Sequence, residues 1–107
     1  MPIADITDDN VFKMALRDTN ELVVIDFYAP WCAPCRALAP TFEGIANTFP
    51  RVLILKVDVD VMKNIAAAFD VSRLPTIVFV RQGTEIDRVV GADRGAIAAK
   101  VIAHTGR

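Results

Sequence analysis

The sequence predicts an α/β fold: a central mixed β-sheet of four to five strands flanked by helices on both faces. Two observations predict it. Apolar runs that read as strands alternate with segments of helical spacing, in the order α-β-α-β-α-β-β-α. The last two strands are separated only by the turn Gln82-Gly83, so the alternation ends in a hairpin, and an alternating chain with a closing hairpin builds a mixed sheet covered on both faces.

Each element has its own signal. A short first strand fits Ile3 to Ile6. Thr7-Asp8-Asp9 offers capping side chains, and Val11, Phe12, Ala15 and Leu16 then repeat at helical spacing. Leu22 to Tyr28 is apolar and β-branched with one acid inside it, Asp26, and reads as a strand buried on both faces; Pro30 ends it. From Cys35 the stripe Leu38, Phe42, Ile45, Ala46 and Phe49 continues to Pro50, with a kink expected near residues 36 to 40, because Pro40 removes a backbone donor. Val52 to Val57 is a second buried strand. Met62, Ile65, Ala66 and Phe69 make a short helix, with Met14 and Met62 expected as core filler. Pro75 introduces the strand Thr76 to Val80, and Glu85 to Val90 alternates as a half-exposed strand broken by Gly91. Asp93 caps a last helix that should turn Ile97, Ala98, Val101 and Ile102 inward.

Composition excludes several classes of function. The 107 residues suit one domain, 1–107, without linker or repeat. With 53% apolar residues and a net charge of -1, the chain is neither disordered nor built to hold nucleic acid or an anionic membrane. Its longest uncharged stretch, Phe27 to Cys35, is nine residues and cannot span a bilayer. The start, Met-Pro-Ile-Ala-Asp-Ile-Thr-Asp-Asp, has no basic stretch followed by an apolar one, and it is acidic. No leader is expected, and the expected location is cytoplasmic.

The chemistry sits at Trp31-Cys32-Ala33-Pro34-Cys35-Arg36, between a buried strand and a helix, where a C-x-x-C reads as a redox motif. Residues three apart on a first helical turn come within disulfide reach. The first thiol meets unpaired backbone N–H groups and the positive end of the helix dipole. Cys32 is therefore the expected nucleophile with a lowered pKa, and Cys35, one turn in, the less exposed partner. Pro34 is tolerated because a first-turn residue has no helical acceptor for the donor it lacks. A purely structural bridge closing four residues would constrain little chain. A zinc site needs about four ligands, and besides this pair the chain has one histidine, His104, so no metal is expected. His104 reads as a helix-end residue on the C-terminal dipole, and Asp58 and Asp60 as solvated strand-end acids.

Asp26 is the second signal. A carboxyl group in an apolar strand is expensive unless it has a partner or a task. Burial should raise its pKa and suit it to pass a proton to and from a thiol. A structural pair with a lysine is the competing reading, and on the residues alone the two weigh equally.

Taken together, Val-Val-Ile-Asp-Phe-Tyr-Ala-Pro-Trp-Cys-Ala-Pro-Cys-Arg at 23–36, Pro40, Lys56-Val57-Asp58-Val59-Asp60, Leu74-Pro75-Thr76 and Gly91-Ala92 make the chain resemble the thioredoxin family over nearly its whole length. The resemblance implies a thioredoxin fold and a protein-disulfide reductase using Cys32 and Cys35. Asp26 would assist the buried cysteine beside Lys56. A cis bond would join Leu74 to Pro75, with the Leu74 backbone pairing with an extended substrate; without the resemblance Pro75 would be an ordinary trans proline. Trp31, Ala33, Gly91 and Ala92 would form an apolar rim around Cys32, although Gly91 also reads as a simple turn glycine. Pro34, Arg73, Leu74 and Pro75 complete the implied substrate-binding set. The resemblance further implies no bound cofactor, reducing equivalents from NADPH through a thioredoxin reductase, and disulfide-containing targets such as peroxiredoxins or reductases. With no third cysteine, a monomer is expected.

The chain departs from the family pattern at Ala33, where most thioredoxins carry glycine, and that bears on its redox potential. Arg73 puts a charge at the edge of the implied groove. A disulfide isomerase or oxidant is the alternative enzyme, although relatives of that kind often place a histidine between the cysteines and here the dipeptide is Ala-Pro. A thioredoxin-fold binding module with incidental thiols is the alternative of a different class.

Overall fold

The apolar run ahead of the cysteines becomes the middle strand of the sheet. The computed structural model describes residues 3–106; Met1, Pro2 and Arg107, the ends of the expected single domain, lie outside them. In chain order the elements are β1 (Ile3–Ile6), α1 (Asp9–Arg17), β2 (Val23–Tyr28), α2 (Ala33–Arg36), α3 (Ala39–Thr48), β3 (Leu53–Asp58), α4 (Lys63–Ala68), β4 (Thr76–Arg81), β5 (Thr84–Val90) and α5 (Arg94–Thr105). The five strands lie in the order β1-β3-β2-β4-β5. β3 runs parallel to both β1 and β2, β4 is antiparallel to β2, and β5 closes the hairpin on β4. This is the expected thioredoxin-fold sheet, with the short first strand present as β1.

Side-chain alternation across the sheet separates two cores. Leu22, Val24, Ile54, Ile77 and Phe79 meet Leu38, Phe42 and Ile45 of the α2–α3 segment and Ile97 and Val101 of α5. Val23, Ile25, Phe27, Leu55 and Val78 meet Phe12 of α1 and Met62, Ile65 and Ala66 around α4. Burying both faces explains why β2 reads as an almost unbroken apolar run. The half-exposed alternation of β5 belongs to an edge strand.

Helix starts and stops follow local chemistry. The Asp8 carboxylate accepts from the N–H groups of Asn10 and Val11, and that of Asp93 from Ala96. Where a kink was expected near residues 36 to 40, the chain breaks into two helices. α2 ends at Arg36, and Pro40 falls in the first turn of α3, where its missing N–H costs no helical bond.

Three apolar residues expected inside lie outside: Val11 is 51% exposed, Met14 49% and Ile102 58%. At roughly 100° per residue, Val11 sits about a quarter-turn from the Phe12–Ala15–Leu16 face and Met14 nearly opposite it, while Ile102 is a third of a turn from Ile97 and Val101. His104 ends α5 as expected, but its ring crosses to β5, with Nε2 2.9 Å from Asp87 Oδ2. Lys100, one turn earlier, reaches the other oxygen of Asp87 at 3.0 Å. Among the described residues, no helix is long and apolar enough to cross a membrane.

Candidate active site

β2 delivers the chain to the site. Beyond its last residue, Tyr28, the backbone turns through Ala29, Pro30 and Trp31, the Cys32 N–H closing on the Ala29 carbonyl at 3.1 Å. Cys32 is the N-cap of α2 and Cys35 lies within it. The two are joined as a disulfide with Cα atoms 5.3 Å apart. The Cys35 N–H donates to Cys32 Sγ at 3.3 Å, so the first sulfur occupies the place of a capping acceptor. Cys35 was expected to be the less exposed, but in this oxidised form the two differ little, at 5% and 6%. The bond to Cys35 and the N–H contact draw the Cys32 sulfur inward.

Two side chains brace the loop. The Arg36 guanidinium donates to the Pro30 carbonyl at 2.7 Å. Trp31, 69% exposed, donates its indole N–H to Asp60 Oδ2 at 2.8 Å. Asp60 is itself steadied by its own N–H on Asp58 Oδ1 at 2.9 Å. Asp60, expected only to be solvated, is therefore a site residue that the sequence reading missed. A strand-end acid 29 positions away in sequence carries no local signal of such a bond. Among the described residues, no group of acids, histidines and cysteines is placed to hold a metal ion.

On the facing side, the Leu74–Pro75 bond is cis. Thr76 Oγ1 donates to the Arg73 carbonyl at 2.6 Å and pins that turn. Gly91 has φ +99°, a conformation that favours glycine, and its N–H donates to the Pro75 carbonyl at 2.8 Å. Gly91 thus ties the end of β5 to the proline turn. A groove of about 530 Å³ runs between the two walls. It brings together Trp31, Cys32, Ala33, Pro34 and Leu74, and adds Val59, Val71 and Ser72, which the sequence reading did not single out. Arg73 and Ala92 are exposed, and neither they nor Pro75 and Gly91 line it. A larger hollow of about 760 Å³ lies near Phe49, Arg51 and Arg81, and neither cysteine lines it.

Asp26 lies inside β2, 2% exposed, in register with Lys56 of β3. Its Oδ1 has no hydrogen-bond partner. Burial pushes its carboxyl up to about 7, against the nearby Lys56 charge, which lowers it. A carboxyl poised there can take or give a proton near neutral pH. Ala29 and the two cysteines form a small buried cluster packed by Tyr28, Val59 and Leu74.

A mixed sheet with a disulfide-bonded C-x-x-C at a strand-to-helix junction, facing a cis-proline turn, defines a dithiol–disulfide exchange protein. The Thioredoxin family model matches residues 3–103. Thioredoxin H-type 1 of Nicotiana tabacum is 46% identical over 87 residues, which is 81% of this chain and 69% of the relative. The crystal structure of a thioredoxin from Nicotiana alata superposes with a TM-score of 0.90 at 30% identity, covering 96% of this chain and 92% of that one. A chain solved in work on thiol resolution of a yeast mitochondrial 1-Cys peroxiredoxin by glutathione and thioredoxin systems superposes at 0.88 with 31% identity, covering 94% of each. The chain belongs to the thioredoxin family. It is a thiol–disulfide oxidoreductase that reduces protein disulfides through Cys32-Ala33-Pro34-Cys35.

Proposed function

We propose that Cys32 attacks and Cys35 resolves. The Cys32 thiolate attacks one sulfur of a target disulfide, forms a mixed disulfide, and releases the other target sulfur as a thiolate that is then protonated. Cys35 gives its proton to the Asp26 carboxylate, attacks Cys32 Sγ, and releases the second target sulfur as a thiolate, which then takes up a proton. Two electrons have then passed to the target, and the Cys32–Cys35 bond is back. The observation that carries this order is Cys32 at the N-cap of α2 with the Cys35 N–H on its sulfur, because that place favours negative charge.

Asp26 is the proton carrier, and Lys56 is the cation that limits how far burial raises it. The groove binds an extended target segment. Trp31, Ala33 and Pro34 form one wall and Leu74 the other, with the buried Pro75 behind Leu74, Gly91 and Ala92 at the end of β5 and Arg73 at the rim. The Leu74 backbone makes no hydrogen bond to another backbone group among the described residues, which supports its pairing with a target strand. Reducing equivalents come from NADPH through a thioredoxin reductase, without a cofactor held by this chain. Peroxiredoxins and disulfide-forming reductases are the target classes. Residues 1–107 act as one domain and as a cytoplasmic monomer. With Cys32 and Cys35 the only cysteines, an intermolecular bridge would have to consume the active pair.

A Cys35→Ser variant tests the order of attack, because it should accumulate mixed disulfides between Cys32 and its targets. Isolation of none with any reducible target would refute it. A redox titration read by Trp31 fluorescence tests the direction. The family reference for thioredoxins is about −270 mV, and a midpoint near it fits a reductant, whereas about −180 to −120 mV belongs to isomerases and oxidants.

A further inference from the structure

Lys56 stands in register between two carboxylates. Its strand partners are Asp5 on β1 and Asp26 on β2, and partners in a ladder project to the same face. An ion pair is therefore within reach on either side. Among the described residues Lys56 makes neither within 4.0 Å. Its Nζ lies instead over the ring of Tyr28, 4.8 Å from the centroid. Tyr28 follows Asp26 by two positions on β2 and so shares its face. The ring is held by packing against the Ala29–Cys32–Cys35 cluster.

We propose that Tyr28 is a positioning residue whose ring face holds the Lys56 ammonium off the Asp26 carboxylate, leaving that acid free to exchange its proton with Cys35. This deepens the reading above and rests on the role given there to Asp26. The attraction is that of a cation for the negative face of an aromatic ring. An ammonium locked onto Asp26 would drag its titration down by about 1–3 pH units, out of the range in which it serves a thiol. The charged and titratable groups on this face are Asp5 from β1, Asp26 and Tyr28 from β2, and Lys56 and Asp58 from β3. Burial, with Asp5, Asp58 and Asp26 around it, pushes the Tyr28 hydroxyl above its ordinary value, so the ring stays a neutral phenol at working pH.

The test is the Asp26 titration in the oxidised protein, followed by carboxyl carbon NMR. Tyr28→Leu should lower its midpoint by about one pH unit or more, and Tyr28→Phe, which keeps the ring, should leave it close to wild type. In a Lys56→Met background, Tyr28→Leu should produce no such fall. A fall of equal size in both backgrounds would mean that the ring acts only by excluding water, and no fall in either would mean that it does not act on Asp26. Both results overturn the proposal. The wild type alone gives a second reading if Tyr28→Leu does not fold. The Lys56 ε-methylene protons should be shifted upfield by the ring current, and unshifted signals overturn the proposal. Failure of the underlying reading looks different: Asp26→Asn would reduce targets at the wild-type rate while the NMR results held.

Discussion

Trp31 and Asp60, 29 positions apart, are joined by an indole N–H to carboxylate hydrogen bond of 2.8 Å across the edge of the groove. The bond fixes a large, mostly exposed ring beside the reactive sulfur, where it would otherwise sample several rotamers. Docking a target on a mobile ring would carry that ordering cost at every encounter. Asp60→Ala should therefore slow reduction of a protein disulfide by about fivefold, corresponding to the roughly 1 kcal/mol of one such bond. Asp60→Asn, which keeps an acceptor, should lose less. Steady-state rates read beside Trp31 fluorescence anisotropy check this. Unchanged anisotropy in Asp60→Ala would show that packing alone holds the ring.

Asp26 makes folding stability depend on pH with a definite sign. Its folded pKa is raised, so the folded state binds the proton more tightly than the unfolded chain. Stability should fall as pH rises from about 4 to about 7, and the full penalty should stand above that. A shift from 3.8 to about 7 is worth about 4 kcal/mol at 1.36 kcal/mol per unit. Asp26→Asn should accordingly be several kcal/mol more stable than wild type at pH 8 and nearly equal to it at pH 4, while resolving mixed disulfides more slowly. Urea unfolding of both proteins at the two pH values is the measurement. An equal stability difference at both would show that ionisation is not its source.

These two acids also mark how far the sequence could be read. Asp26 was legible because it contradicts its surroundings, a carboxyl inside Val23 to Tyr28. Cys32 and Cys35 were legible because their spacing and their place before a helix are local properties. Asp60 was not, because its partner is chosen by how the loop after β3 meets the loop after β2, and that contact is tertiary. The same holds for Val59, Val71 and Ser72 in the groove wall. The sheet was legible because its buried strands are continuous apolar runs. Helix faces were read less well, because one turn spreads apolar residues around the axis and only packing selects which of them face inward. Val11, Met14 and Ile102 are the cases.

On the edge strand β5, Asp87 is bonded by His104 and Lys100 of α5. Hydrogen bonds from His104, then Lys100, then the Arg88 backbone N–H hold its carboxyl below the ordinary carboxylate range. The linkage sign is opposite to that of Asp26. A depressed folded pKa gives stability that is present above the unfolded value of 3.8 and lost as pH falls below it. Asp87→Asn should lower the Tm at pH 7, and the gap from wild type should close toward pH 2. A gap of the same size at pH 2 would show that the side chain acts by shape rather than charge. Target reduction should be unchanged in this variant, since Asp87 does not line the groove.

Arg73 offers a way to separate docking from chemistry. Its carbonyl is pinned by Thr76 Oγ1 while its side chain is exposed, next to Ser72 and Leu74 of the groove wall. A charge so placed acts on the neighbours of a target disulfide rather than on the sulfur. For a target acid about 7 Å away in water, Coulomb's law gives roughly 0.6 kcal/mol, and reversing the charge doubles the difference. Arg73→Glu should thus cut kcat/KM for acid-flanked disulfides by about sevenfold at low salt. Screening over a Debye length of about 8 Å should reduce that to two- to threefold at physiological salt. The effect should reverse for targets flanked by lysine, and the midpoint potential of the cysteine pair should not move. Rates for a pair of disulfide peptides differing only in flanking charge, measured at two salt concentrations, decide it. Equal rates for both peptides would remove Arg73 from target selection, and a shifted potential would mean that it acts on the sulfurs themselves.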